Sequence, residues 1–204
     1  MRVKIGENFS LFNKNGEWLA KIIKISNGKV EFSIREKLRN RENPVEIWLA
    51  FSPIKLNYSN FMIQKATELG VTKFIPIIFD RTIVRKMNQD RLKKIVVEAC
   101  EQSNRINIPI IEKPQSLKNF LKLNQCNLIF TDLNSSNKKI NVSKLTSKPI
   151  CIIIGPEGDF SPGERELILK NRAVKPFTLS RNILRSDTAV ISAISLVNFI
   201  NNFN

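Results

Sequence analysis

Two short polar runs concentrate the residues able to do chemistry: Gly155-Pro156-Glu157-Gly158 and Arg185-Ser186-Asp187. In the first, glycines without a Cβ let the backbone take left-handed angles and let a ligand lie against it. Pro156 fixes one φ and removes one donor, stiffening the loop. Such a loop suits a flat ligand read through main-chain groups, and a plain strand–helix turn without a ligand is the competing reading. In the second run a guanidinium and a carboxylate, Arg185 and Asp187, stand at the amino end of an apolar segment. A catalytic pair and a structural ion pair with a cap both fit that spacing. The sequence has no histidine, which excludes a Ser-His-Asp triad, a Cys-His pair and histidine metal sites. Proton transfer must then use carboxylates, lysine, cysteine, tyrosine, water or the substrate itself.

Regular elements must hold these runs in place. Ile150 to Ile154 is apolar and largely β-branched, as expected of a strand buried on both faces. Ser161-Pro162-Gly163-Glu164 reads as a capping box, with Ser161 at N-cap, Pro162 at N1 and Glu164 at N3. Pro176 to Leu179 reads as a second short strand. Ser186 or Asp187 is placed to cap a helix from Ala189 to Ile200. That helix is apolar on most sides and belongs in a core or a subunit interface. Both turns therefore sit at the carboxyl ends of buried strands, where open α/β sheets bind ligands.

The rest of the chain alternates strands and helices, which predicts an α/β fold. Strands are expected at Val45–Phe51, Lys73–Phe79, Ile106–Ile111 and Asn127–Thr131. Helices are expected from an Asn60 cap to Gly70, from an Asp90 cap through Glu101, and from a Ser116 cap to Leu123. Residues 1–42 differ. Ser10–Phe12, Glu17–Ile25 and Lys29–Ile34 read as strands joined by Asn/Gly turns, a β-meander, and Arg39 to Pro44 reads as a linker. We place the domain boundary between residues 42 and 43, giving units 1–42 and 43–204.

The 204 residues carry 33 Lys+Arg against 18 Asp+Glu, a net charge of +15. This points to a polyanionic partner, nucleic acid by default, over a merely lysine-rich surface. Cys100, Cys126 and Cys151 are odd in number and far apart, so neither a disulfide framework nor a zinc site is expected. No apolar run approaches the ~20 residues that span a bilayer, and MRVKIGENFS lacks the apolar core of a signal peptide. The expectation is a cytoplasmic protein without metal or membrane partners.

GPEGDFSPGE and LSRNILRSDTA together resemble the carboxyl-terminal signature of the RsmE family, and KATELGV (Lys65–Val71) and EACEQSNR (Glu98–Arg105) resemble its two central motifs. The resemblance covers roughly Val45 to Ile200. It implies a SPOUT-type parallel sheet with a carboxyl-terminal trefoil knot, and a short amino-terminal all-β unit, the remnant of a PUA-like barrel that grips RNA. It implies S-adenosylmethionine-dependent N3-methylation of a uridine in 16S ribosomal RNA of the small subunit, by a homodimer. Carried over, the cofactor residues are Thr131, Leu133, Gly155, Pro156, Glu157, Gly158, Leu179, Ser180, Ile183 and Leu184. Arg185 would stabilise the uracil anion, with Asp187 or Glu157 as carboxylate partner. Arg81 and Arg105 would line the RNA path through phosphate contacts.

The chain departs from the family pattern at four positions. Asp159 and Ser180 stand where glycine is usual, Asn182 where arginine is usual, and Asp187 where glutamate is usual. The family's usual opening segment, with its basic, histidine-containing helix, has no counterpart before residue 1, so either Met1 is a misassigned start or the β unit is reduced. Two other readings follow: a SPOUT methyltransferase acting on another RNA, and a non-catalytic RNA-binding or ribosome-assembly protein.

Overall fold

The computed structural model describes residues 3–40, 43, 45–123, 125–137, 148–171 and 174–202. Its larger sheet is built from β4 (Ile47–Phe51), β5 (Val71–Ile78), β6 (Ile110–Ile111), β7 (Gln115–Ser116), β8 (Asn127–Thr131), β9 (Ile150–Ile154) and β10 (Val174–Phe177). The order is β10-β8-β9-β4-β5-β6, with β7 also pairing with β5, and every pair is parallel.

Side-chain alternation along these strands explains the apolar runs. Ile150, Ile152 and Ile154 join Ile47, Leu49 and Phe51 in one core, whereas Cys151 and Ile153 join Ala50 and Phe130 in the other. Helices α1 (Leu56–Glu68), α2 (Gln89–Gln102) and α5 (Ser186–Asn202) cover the first face through residues such as Met62, Val96 and Ile194. Helices α3 (Leu117–Leu123) and α4 (Pro162–Leu169) cover the second through Phe120 and Ile168. The result is three layers with two cores, as the α/β pattern predicts.

A separate antiparallel sheet, β1-β2-β3, comprises β1 (Asn8–Asn13), β2 (Gly16–Ser26) and β3 (Lys29–Asn40). The meander is present, but β3 extends into the expected linker. Arg39 lies in the strand, donates to Glu17 Oε2 at 2.5 Å, and reaches Asn104 on the larger unit at 2.9 and 3.0 Å. The rest of the expected linker falls partly on positions 41, 42 and 44, outside the described residues.

Several expected helix starts move. Helix α1 begins four residues before Asn60, with Lys55 at the N-cap and no side-chain cap bond, so Asn60 sits inside the helix. Its end is as expected: Gly70, with φ +100°, takes the left-handed angle that stops it. Asn88 rather than Asp90 caps α2, accepting from Arg91 N at 3.0 Å. The strand expected over Ile106–Ile111 is reduced to its last two residues. Ser186 and Asp187 lie in the first turn of α5. The Ser186 hydroxyl donates to Gly155 O at 3.3 Å, so it pins a loop. Ser116 bonds Asn119 N at 3.2 Å, as a cap should.

Candidate functional site

The parallel strands end together, and the loops that leave them build the site. Residues 132–133 follow β8 directly after its last residue Thr131, 155–160 follow β9 and 178–186 follow β10. Three bonds register these loops. Thr131 Oγ1 donates to Ile153 O at 2.9 Å, Asp132 N to Phe177 O at 3.0 Å, and Thr178 Oγ1 to Asp132 O at 3.1 Å. Between them lies a cavity of about 250 Å³. Thr131, Leu133, Gly155, Pro156, Glu157, Leu179, Ser180, Ile183 and Leu184 all line it, together with Arg185.

Gly158 does not line it. Its carbonyl points away and accepts from Arg81 Nη1 at 2.8 Å. Gly155 and Gly158 do not use left-handed angles either. That angle falls on Asp159, at φ +63°, where the Asp159 carboxylate accepts from Phe160 N at 2.8 Å and offsets part of the cost. Gly155 is required by close approach instead: a Cβ there would sit 2.6 Å from the Phe160 ring. Phe160 packs edge-on against Phe79 and Phe130, with centroids 5.1 and 5.0 Å away, forming a rigid aromatic floor.

The capping box is present, and it reaches further than four residues. Glu164, although buried, accepts from Ser161 N at 2.9 Å and from Asp80 N at 2.7 Å. The Ser161 hydroxyl also donates to Asp80 Oδ2 at 2.5 Å. One cap therefore locks the loop after β5 to the loop after β9. On the opposite wall Asp132, 5% exposed, forms a two-point ion pair with Arg165 at 2.8 and 3.2 Å. The Asp132 carboxylate raises the pKa of Arg165, first by hydrogen bonding.

The walls suit a ligand with a flat apolar part and polar edges. Ile183 is 86% and Leu133 47% exposed, although both border a concavity. A second hollow of about 310 Å³ adjoins the first and shares Glu157, Arg185 and Ser186 with it. Ile54, Lys55, Tyr58 and Asp187 complete its walls. Arg185 thus stands at the junction.

Among the described residues Arg185 forms no ion pair, so the expected pairing with Asp187 is not observed. It contacts Tyr58 instead, with Nη1 3.4 Å from the hydroxyl and the guanidinium carbon 5.7 Å from the ring centroid. Sequence reasoning missed Tyr58 altogether, although it is the single tyrosine of the chain. Arg105 is a structural clamp: half-buried, it donates to the carbonyls of Thr67 and Val71. Those bonds tie the EACEQSNR segment to the end of α1.

The thiols are buried, and burial pushes Cys100 up and Cys151 well up from the ordinary thiol value. Neither suits nucleophilic catalysis. No cluster of three or more acidic or cysteine side chains able to hold a metal occurs among the described residues. No described helix is long and apolar enough to cross a membrane.

Residues 41–198 match the model of an RNA methyltransferase domain, and residues 1–35 match an RNA methyltransferase PUA domain. The chain is 36% identical to the ribosomal RNA small subunit methyltransferase E of Rickettsia conorii, over 98% of this chain and 84% of that one. It is 31% identical to the protein of that name from Aquifex aeolicus, over 97% and 88%. Among solved structures, ribosomal RNA small subunit methyltransferase E of Neisseria gonorrhoeae, bound to S-adenosyl methionine, superposes with a TM-score of 0.88 at 28% identity. That match covers 98% of this chain and 85% of the other. With a family model spanning most of its length and relatives matched nearly end to end, the chain belongs to the RsmE family of RNA methyltransferases.

Proposed function

We propose that the chain transfers a methyl group from S-adenosylmethionine to N3 of a uridine in 16S ribosomal RNA of the small subunit. The observation that carries this reading is the position of Arg185, at the junction of the apolar cavity and the second hollow. The cavity fits the cofactor: Gly155 lets the Phe160 ring pack closely beneath the loop as a floor, exposed Ile183 and Leu133 offer faces for adenine, and residues of three loops edge the space. Leu179 and Leu184 add to the adenine faces, while Thr131, Pro156, Glu157 and Ser180 border the remainder. When bound, the cofactor's sulfonium supplies an activated methyl with its own leaving group.

The residues of the chain supply orientation and charge. Uracil N3 carries a proton at neutral pH and becomes a good nucleophile on losing it. The Arg185 guanidinium beside O2 or O4 stabilises the resulting anion and lowers that pKa. Asp187 and Glu157 both face the hollow and are the carboxylates able to receive the proton.

The three-stranded sheet serves as the PUA-like RNA-gripping unit of residues 1–42, with residues 43–204 as the methyltransferase unit. Arg81, held beside the Gly158 carbonyl, continues the basic path toward the site. A trefoil knot is supported by the path after β10, where Thr178 N bonds Asn137 O along the loop after β8 before the chain returns to α5. Helix α5, largely apolar, is the surface for a homodimer, and the cytoplasm, where ribosomal subunits reside, is the place of action. The test is methyl transfer to unmodified small subunits. Arg185→Ala removes product while cofactor affinity is retained, and normal turnover in that variant overturns the assignment.

A further inference from the structure

The second hollow contains a contact with no evident structural purpose. Tyr58 lies in the first turn of α1, at the carboxyl end of β4, and is 41% exposed. Arg185 reaches it from the residue just before α5, across 127 residues of sequence. The pair buries little, and an exposed bond of 3.4 Å adds little stability. Its geometric effect is larger. A long, exposed arginine must lose much of its rotamer freedom before it can hold one pose. A ring face and a hydroxyl acting together restrict it, and among the described residues it makes no ion pair with Glu157 or Asp187, although both line the same hollow.

The charges around the hollow support this role. Lys55 and Arg185 face Glu157 and Asp187, so cations and anions balance. Without Tyr58, the Arg185 guanidinium would be free to swing onto either carboxylate, neutralising both the anion stabiliser and the proton acceptor. Tyrosine offers an aromatic face and a hydroxyl without a competing negative charge.

We infer that Tyr58 is the positioning residue for Arg185, holding its guanidinium over the hollow that receives the target uracil and apart from the carboxylates that share it. The inference rests on the reaction proposed above.

The test compares the full-length wild type with Tyr58→Phe and Tyr58→Ala on small subunits lacking the modification. The expected loss in kcat is about threefold for Tyr58→Phe and about tenfold for Tyr58→Ala. Cofactor affinity, measured by calorimetry, stays unchanged. A weaker hold on Arg185 raises the apparent pKa of the reacting N3. The ascending limb of the pH–rate profile therefore moves to higher pH in Tyr58→Ala, a change that loss of folding stability would not produce. Tyr58 is the sole tyrosine, so a fluorotyrosine label gives one fluorine resonance, which Arg185→Ala should displace in the absence of substrate. An active wild type with unchanged kcat and pH profile in Tyr58→Ala overturns this inference alone. A wild type that binds cofactor but methylates nothing on the subunit overturns the reaction reading, and this inference with it.

Discussion

Strands β9 and β3 show how differently one chain uses two sheets. All five residues of β9 are buried, with strands on either side and cores above and below. Ten of the twelve residues of β3 are exposed, including Phe32, Ile34 and Leu38 among lysines and arginines. The first strand aims a loop with little freedom to move, because every neighbour constrains it. The second presents basic and apolar side chains on an open face. Chemistry that depends on sub-ångström placement belongs on the first kind of scaffold, and a polyanion that must be gripped along its length suits the second.

Changes at the rigid site should dominate activity. Arg185→Ala is expected to lower methyl transfer about 10²- to 10³-fold, the range for removing one stabiliser of developing charge. Initial rates and cofactor calorimetry on the same preparation check it, because cofactor affinity should hold. Gly155→Ala drives a Cβ into the Phe160 ring and is expected to cost about 1–3 kcal/mol of stability, with loss of cofactor binding. Thermal melts with and without cofactor would show both effects. An unchanged melt would mean that the aromatic floor yields, and that the site is less rigid than the comparison holds.

Changes on the open sheet should move RNA affinity and leave the cofactor alone. Lys21→Ala with Arg35→Ala is expected to weaken subunit binding and to reduce the slope of log affinity against log salt by about 1–2. Equal losses for cofactor and RNA would break the division of labour.

The smallest expected effect lies at the joint between the sheets. The Ser10 hydroxyl, followed by Arg39, holds the Glu17 carboxyl below its ordinary value. A depressed carboxyl contributes stability above its unfolded pKa and loses it as pH falls through the folded one. The melting difference between wild type and Glu17→Gln should therefore be present at neutral pH and shrink as pH falls below the ordinary carboxylate range.

The parts legible in the sequence were those set by neighbours along the chain. The capping box at Ser161–Glu164 spans three residues, so its chemistry is written locally. Burial of Ile150–Ile154 on both faces follows from its unbroken apolar run. Contacts that close through the fold were not legible. Tyr58 meets Arg185 only because the loops after β4 and β10 converge at one end of the sheet. Arg81 reaches the Gly158 carbonyl across 77 residues, beside a glycine that does not line the cavity. Arg105 likewise meets carbonyls of Thr67 and Val71 that lie on other elements, a contact no local pattern announces. The start of α1 is harder to read: it begins at Leu56 with no side-chain cap, so a capping-type residue further on draws the expected boundary to Asn60.

The central claim is tested most directly by incubating small ribosomal subunits that lack the modification with the protein and S-adenosylmethionine, then digesting the RNA for nucleoside mass spectrometry. The account predicts one new 3-methyluridine in 16S RNA, absent without cofactor and absent with Arg185→Ala. A different methylated nucleoside, or none while the cofactor binds, would contradict it.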